Sequence, residues 1–191
     1  MPRTRWFPLA ALALMLATSG CGYNTIQTKD EAVNSALAQV KVQLQRRADL
    51  IPNLVETVKG FAAQETEIFT AVSEARSRLA GAVQDGGVTE MAEANAALNA
   101  PLGRLLAIVE AYPELRSNEN FLQLQDQLEG TENRIAVSRQ DYNRAVEDFN
   151  GTIRRFPVNL TAKIFGNGTP REYFDLTSPE AGEVPRVQFD R

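Results

Sequence analysis

Residues 45–65, QRRADLIPNLVETVKGFAAQE, determine the fold. With their flanks they carry apolar side chains at alternating spacings of three and four residues, which places these side chains on one face of an α-helix. The members of this stripe are Ile26, Val33, Leu37, Val40, Leu44, Ile51, Leu54, Val58, Phe61, Ile68, Val72, Ala75 and Leu79. Because so regular a stripe leaves water only by packing on other helices, it predicts long, coiled-coil-like helices in a bundle.

The composition of the chain argues against several classes of protein. Its 191 residues suffice for one domain with a core, and 43 % hydrophobic residues fit neither a disordered chain nor a multi-span membrane protein. A net charge of −4 without a basic block argues against nucleic-acid binding. With no histidine, the chain has neither an imidazole base nor an imidazole metal ligand.

Residues 1–20 have the pattern of a secretory signal peptide. Arg3 and Arg5 precede the apolar run Trp6–Ala17, which is shorter than the roughly 20 residues that span a bilayer. Cys21, the single cysteine, follows three small residues and resembles the lipobox cysteine of bacterial lipoproteins. We therefore predict that Cys21 is lipidated and attaches the chain to a membrane; the alternative is an ordinary signal peptide with an incidental buried cysteine.

Residues 21–29 are interpreted as the anchor and a short lead. Residue 22 is glycine, whereas an aspartate there commonly retains lipoproteins at the inner membrane. In a bacterium with two membranes, this difference predicts a protein anchored to the outer membrane and facing the periplasm.

The sequence near residue 50 allows two interpretations. The favoured one has a helix at 30–47 and a break near 48–51, with Asp49 capping the next helix and Pro52 in its first turn. A single helix over residues 26–80 would reach roughly 80 Å, which argues for the break. The alternative is one continuous helix kinked at Pro52, which the uninterrupted stripe favours.

Three further helices are predicted. The second covers residues 52–82 and ends before the Asp-Gly-Gly turn at 85–87. The third covers residues 89–112, with a kink at Pro101 and a stop at Pro113.

The fourth helix is predicted to begin at a Ser117 or Asn118 cap and to end near Arg155. Its seam, meaning the side chains expected to face the other helices, alternates large with small residues. One set of positions holds Phe121, Leu128, Ile135, Tyr142, Phe149 and Phe156, and the other, smaller on the whole, holds Leu124, Thr131, Ser138, Ala145 and Thr152. We therefore predict an all-α fold, an antiparallel up-and-down four-helix bundle.

The bundle is predicted to occupy residues 30–165, followed by an irregular C-terminal tail at 166–191. Residues 158–165 read as a last turn of helix. The tail is expected to lie extended along the bundle, with disorder an equal alternative for residues 178–191.

Several long segments carry a family resemblance. They are YN at 23–24, RRADLIPNLVETVKGFAAQE at 46–65, EARSRL at 74–79, EAYPELRSNENFLQLQDQLEGTENRIAVSRQDYNRAVEDFN at 110–150, FP at 156–157 and FG at 165–166. Over nearly all of the predicted mature chain, the sequence resembles the LemA family. The resemblance implies a helical bundle anchored to a membrane at its N-terminus, with no catalytic residues. Most members resemble single-span proteins, and this chain departs from them by its lipobox. Genes of the family often neighbour a TPM-domain protein, which implies an envelope protein partner.

The sequence shows no arrangement typical of catalysis or cofactor binding. It contains no G-x-S-x-G, S-x-x-K, P-loop or G-x-G-x-x-G motif, and acylation would consume its thiol. Glu129 and Glu132 could share a cation, but such a pair is more often a solvated face. We therefore predict no enzyme, no metal and no cofactor.

Charges on the stripe raise a separate question. Arg47 and Glu65 occupy positions that otherwise bury apolar atoms, so each lies at the stripe edge or has a partner. Counted from the predicted break and from the start of the fourth helix, Glu65 and Arg134 both lie about fifteen residues along, about 22 Å from one end. This count gives a Glu65–Arg134 ion pair as a hypothesis, with Arg76 or solvent as alternative partners of Glu65.

Two classes of function follow from these observations. The first is a membrane-anchored, non-catalytic interaction or scaffolding protein of the cell envelope. The second is an envelope binding module for a small apolar or lipid-like ligand. An exposed apolar groove would favour a protein partner, whereas an enclosed cavity between helices would favour a ligand.

Overall fold

The computed structural model describes the backbone of residues 7–165 and 168–174, and the side chains of these residues from Gly22 onward. All regular structure in the described part is helical, without a β-strand, so the all-α prediction is confirmed. The elements are α1 (Phe7–Lys59), α2 (Thr66–Asp85), α3 (Val88–Ala107), a 3₁₀ turn (Ile108–Glu110), α4 (Pro113–Arg116), α5 (Glu119–Arg154) and α6 (Val158–Ile164).

The predicted break at 48–51 is wrong, because the helix continues through this stretch as the alternative proposed, although it ends at Lys59 and does not reach residue 80. Helix α1 runs through this stretch with Pro52 in its interior. Proline has no N–H to donate to the carbonyl four residues earlier, which belongs to the buried Ala48. In the structure this carbonyl accepts a hydrogen bond from Nε of Arg76 on α2, at 3.1 Å. A side chain distant in sequence therefore replaces the bond that the proline removes.

The first long helix ends instead at Lys59, just before Gly60 and inside the stretch predicted as the second helix. The N–H groups of Phe61 and Ala62 both donate to the carbonyl of Val58, at 3.0 and 2.9 Å, which tightens the last turn. The turn that follows changes which side chains face inward. Ala62 and Phe69 are buried. Phe61 and Ile68, the predicted stripe members that precede them by one residue, are partly exposed.

The third and fourth predicted helices are found with small changes. Helix α3 continues through Pro101 and ends at Ala107. Pro113, predicted to stop the third helix, begins the short helix α4. Asn118 caps α5 as predicted, because its Oδ1 accepts a hydrogen bond from the N–H of Phe121 at 3.0 Å. Phe156 lies beyond the end of α5 and is 81 % exposed, so its assignment to the seam is wrong.

The chain divides into two compact units, to both of which α1 and α5 contribute. Unit 1 comprises Met1–Val40 and Ala136–Tyr173, and unit 2 comprises Lys41–Ile135 and Phe174–Arg191. Within unit 2, α2 and α3 pack against each other. Within unit 1 the buried apolar side chains come from α1, α5 and α6. They include Ile26, Val33, Val40, Tyr142, Val146, Phe149, Ile153 and Ala162.

Candidate functional site

A buried guanidinium forms the centre of a polar cluster in unit 2. Arg47 of α1 is only 5 % exposed. Its Nη1 donates to Oδ1 of Asn95 at 2.6 Å and forms an ion pair with Oε2 of Glu132 at 2.6 Å, and its Nη2 donates to Oδ1 of Asn99 at 2.9 Å. The two asparagines lie four residues apart on α3, which places them on one face of that helix. A single side chain thus connects α1, α3 and α5.

The electrostatics of this cluster indicate a structural role. Burial lowers the pKa of the Arg47 guanidinium below its usual range, and Glu132 partly opposes this effect. Arginine still carries its charge at neutral pH, because its pKa starts far above 7. Both Nη groups donate to protein acceptors within the fold, whereas the buried Nε of Arg47 has no hydrogen-bond partner among the described residues. Of the two interpretations of Arg47, the partnered charge is confirmed and the stripe-edge charge is wrong.

The structure removes the basis of the Glu65–Arg134 hypothesis. The predicted break at 48–51, from which the heights were counted, lies inside a continuous helix. Glu65 immediately precedes α2 and is partly exposed, whereas Arg134 is exposed on α5. Among the described residues, no ion pair joins these two side chains. Arg76, named as an alternative partner, instead donates to a backbone carbonyl of α1.

Neither glutamate of the candidate cation pair faces a shared site. Glu132 is turned to Arg47, and Oε1 of Glu129 accepts a hydrogen bond from Gln125 at 3.1 Å. Across the part of the chain that the structure describes, no three acidic, cysteine or histidine side chains gather in a way that could hold a metal ion.

The predicted lipidation site lies at the margin of the described structure. The backbone of Cys21 belongs to α1, but its side chain lies outside the described residues. Lipidation of Cys21 therefore stays a prediction. Among the described residues, no helical stretch combines the length and the hydrophobicity needed to cross a membrane.

Most of the described part of the predicted tail is held within unit 1 by side chains. Asn150 pairs with the backbone of Arg171 in both directions, at 2.9 Å from its Nδ2 to the carbonyl and at 2.8 Å from the N–H to its Oδ1. The Tyr142 hydroxyl donates to the carbonyl of Glu172 at 2.8 Å, and the Arg171 guanidinium binds Oδ1 of Asp30. Burial is the main cause that raises the pKa of Tyr142, so this hydroxyl keeps its proton at neutral pH.

A groove in unit 2 runs along α2 beside the end of α1. It has a volume of about 610 Å³ and is open to solvent. Its walls are formed by Lys59, Ala63, Thr66, Phe69, Thr70, Ser73, Glu74 and Ser77. The Lys59 ammonium lies 5.7 Å from the centre of the Phe69 ring at one end of the groove. The sequence did not predict this groove, because the non-helical segment between Lys59 and Thr66, from which Ala63 lines the groove, was predicted as helix.

Comparison with known families identifies the relationship. The sequence model described as LemA family matches residues 36–189, which is most of the chain. The chain belongs to the LemA family. The matched region includes the polar cluster around Arg47, the groove along α2 and all of α6.

Individual members and relatives of the LemA family are similar at moderate identity. The chain is 30 % identical to magnetosome protein MamQ 2 of Paramagnetospirillum magneticum, over 93 % of this chain and 72 % of that protein. It is 28 % identical to magnetosome protein MamQ of Magnetospirillum gryphiswaldense over the same shares. Protein LemA of Metamycoplasma hominis is 22 % identical, over 87 % of this chain and 73 % of its own length.

Proposed function

We propose that this LemA-family protein is a lipid-anchored, non-catalytic interaction or scaffolding protein of the cell envelope. In this proposal Cys21 carries the lipid, and in a bacterium with two membranes the protein faces the periplasm from the outer membrane. The four long helices α1, α2, α3 and α5 are proposed to form the antiparallel up-and-down bundle that the sequence predicts. The relatives named as magnetosome proteins are named for a cellular structure rather than for a reaction, which supports this class of function.

The open groove along α2 is the observation that carries the proposal. Thr66, Thr70, Ser73 and Ser77 follow one another along it at spacings of three and four residues, so they share one face of α2. Short side chains on such a face let the axis of a second helix come close, and Phe69 supplies an apolar floor. A groove of this form fits an α-helix of a partner protein. Because it is open rather than enclosed, it supports a protein partner over a small apolar or lipid-like ligand.

Site-specific photo-cross-linking in intact cells tests the proposal. We expect a photoreactive residue at Thr70 to give one protein adduct of discrete mass in the membrane fraction. The same residue at Asn133, which is exposed on α5 in the same unit, serves as the matched control and should give none. Ser73→Trp should fill the groove and abolish the Thr70 adduct.

Other cross-linking results would contradict a protein partner in the groove or favour the ligand-binding alternative. Identical adducts at both positions, or a Thr70 adduct that persists in Ser73→Trp, would contradict a specific partner in the groove. An adduct between Thr70 and lipid rather than protein would favour the ligand-binding alternative.

A further inference from the structure

Helix α6 exposes its large apolar side chains and buries its small ones. Ile164 is 77 % exposed, and Leu160 and Phe165 are also exposed, whereas Ala162 is fully buried. Phe156, four residues before Leu160 in the sequence, is exposed as well. Single exposed apolar residues are ordinary, but four large exposed ones within residues 156–165 call for a partner. We name these four residues, Phe156, Leu160, Ile164 and Phe165, the α6 surface.

The charge around the α6 surface is opposite in sign to that of the whole chain. Residues 151–170 contain Arg154, Arg155 and Lys163 and no acidic residue, although the chain has a net charge of −4. All three cationic side chains are exposed, and within the described residues none of them forms an ion pair. The combination of apolar and cationic side chains is typical of a helix that lies in the interface of an anionic membrane.

The position of the α6 surface in unit 1 also indicates a membrane as its binding partner. The Tyr23 and Phe165 rings are 5.0 Å apart between their centres. A methyl group placed on Gly22 would lie 3.5 Å from a methyl carbon of Val158, so the backbone of Gly22 runs directly past α6. These contacts hold α6 against the residues that immediately follow Cys21. A lipid on Cys21 would therefore begin beside the α6 surface.

We propose that the α6 surface binds the surface of an anionic lipid bilayer. Its apolar side chains enter the boundary between headgroups and acyl chains, while the three cations contact anionic headgroups. The inference rests on the proposed lipid anchor and adds to it a second contact, which restricts how unit 1 is oriented at the membrane. A lipid on a flexible terminus would by itself leave this orientation free.

Tryptophan quenching in lipid vesicles tests the α6 surface. Each protein is purified from membranes as the mature, lipidated chain, and Trp6, the single tryptophan of the sequence, is replaced by phenylalanine so that any uncleaved chain adds no signal. One variant then carries Ile164→Trp, and the control carries Val137→Trp at an exposed apolar position of α5 in the same unit. Each protein is reconstituted into vesicles of phosphatidylcholine with phosphatidylglycerol, or of phosphatidylcholine alone, made with brominated acyl chains. Flotation reports the attachment of the protein, and quenching reports the depth of each tryptophan.

We expect Ile164→Trp to lose more than about half of its emission in the anionic vesicles, because interfacial helices insert by about 5–10 Å. Val137→Trp should lose little in either vesicle. Neutralising the cations with Arg154→Gln, Arg155→Gln and Lys163→Gln should bring the quenching of Ile164→Trp down to the control level.

Equal quenching at the two positions in protein that floats would overturn the α6 surface while leaving the proposed function intact. Strong quenching at Ile164→Trp without an adduct in the α2 groove would instead support the α6 surface and reject the scaffolding role. Protein that does not float would reject both.

Discussion

Phe149→Ala is expected to lower the free energy of unfolding by about 3–5 kcal/mol, since truncation of a buried phenylalanine removes apolar burial and leaves a cavity. Phe149 of α5 is 2 % exposed in unit 1. Its ring also lies 6.0 Å from the Arg171 guanidinium, a contact that the alanine cannot make. Chemical denaturation followed by circular dichroism measures the change.

The matched control for this measurement is Val137→Ala on the same helix. Val137 is exposed, and a substitution at such a position usually changes stability by no more than about 0.5 kcal/mol. An unfolding midpoint of Phe149→Ala close to that of the unchanged protein would show that the burial of α5 is assigned incorrectly.

Glu132→Ala is expected to cost roughly 3 kcal/mol, because it leaves the buried Arg47 charge without its counter-charge. We expect the lower end of the range for buried pairs, since the Glu132 side chain is 48 % exposed and water partly screens it. Adding Arg47→Met and Asn95→Leu should restore stability to within about 1 kcal/mol of the unchanged protein, because apolar replacement of a whole buried polar group is often neutral. Unfolding in denaturant measures all the variants.

Glu129→Ala is the control for the polar cluster. Glu129 precedes Glu132 by three residues on α5, is exposed and accepts a hydrogen bond only from the side chain of Gln125 on its own helix, so its removal should have little effect. If Glu132→Ala were no more destabilising than Glu129→Ala, the contact with Arg47 would be an ordinary surface pair and the cluster would not stabilise unit 2.

Many parts of the fold that depend on local sequence were predicted correctly, although the end of α1 at Lys59 was not. The apolar stripe gives the inward faces of α1 and α2, and Val40, Leu44, Leu54 and Val72 are all fully buried. The cap at Asn118 was also predicted, because a cap needs only a suitable side chain just before a periodic segment. These features rest on contacts between residues close in sequence.

The features that depend on distant residues were not predicted. The continuity of α1 at Pro52 requires a donor from Arg76, and nothing near the proline indicates one. The partners of Arg47 lie 48 or more residues away along the chain. One signal was available, because Asn95 lies among the apolar positions that α3 buries, and a buried amide needs a partner.

The exposure of α6 was missed for a related reason. Phe156 was assigned to the seam from its seven-residue spacing, but α5 ends two residues before it. Spacing predicts which side chains share a face only as long as the helix continues. Once the helix ends, the surroundings of an apolar residue are set by the tertiary structure.

Lipidation of Cys21 is the central claim, because the scaffolding role and the contact of α6 with lipid both place the protein at a membrane surface. The most direct test is the intact mass, with fragmentation of the N-terminal peptide, of protein extracted from native membranes. We predict a chain that begins at Cys21, lacks residues 1–20 and carries acyl chains on the cysteine. An unmodified Cys21, or a chain that begins at another residue, would contradict it.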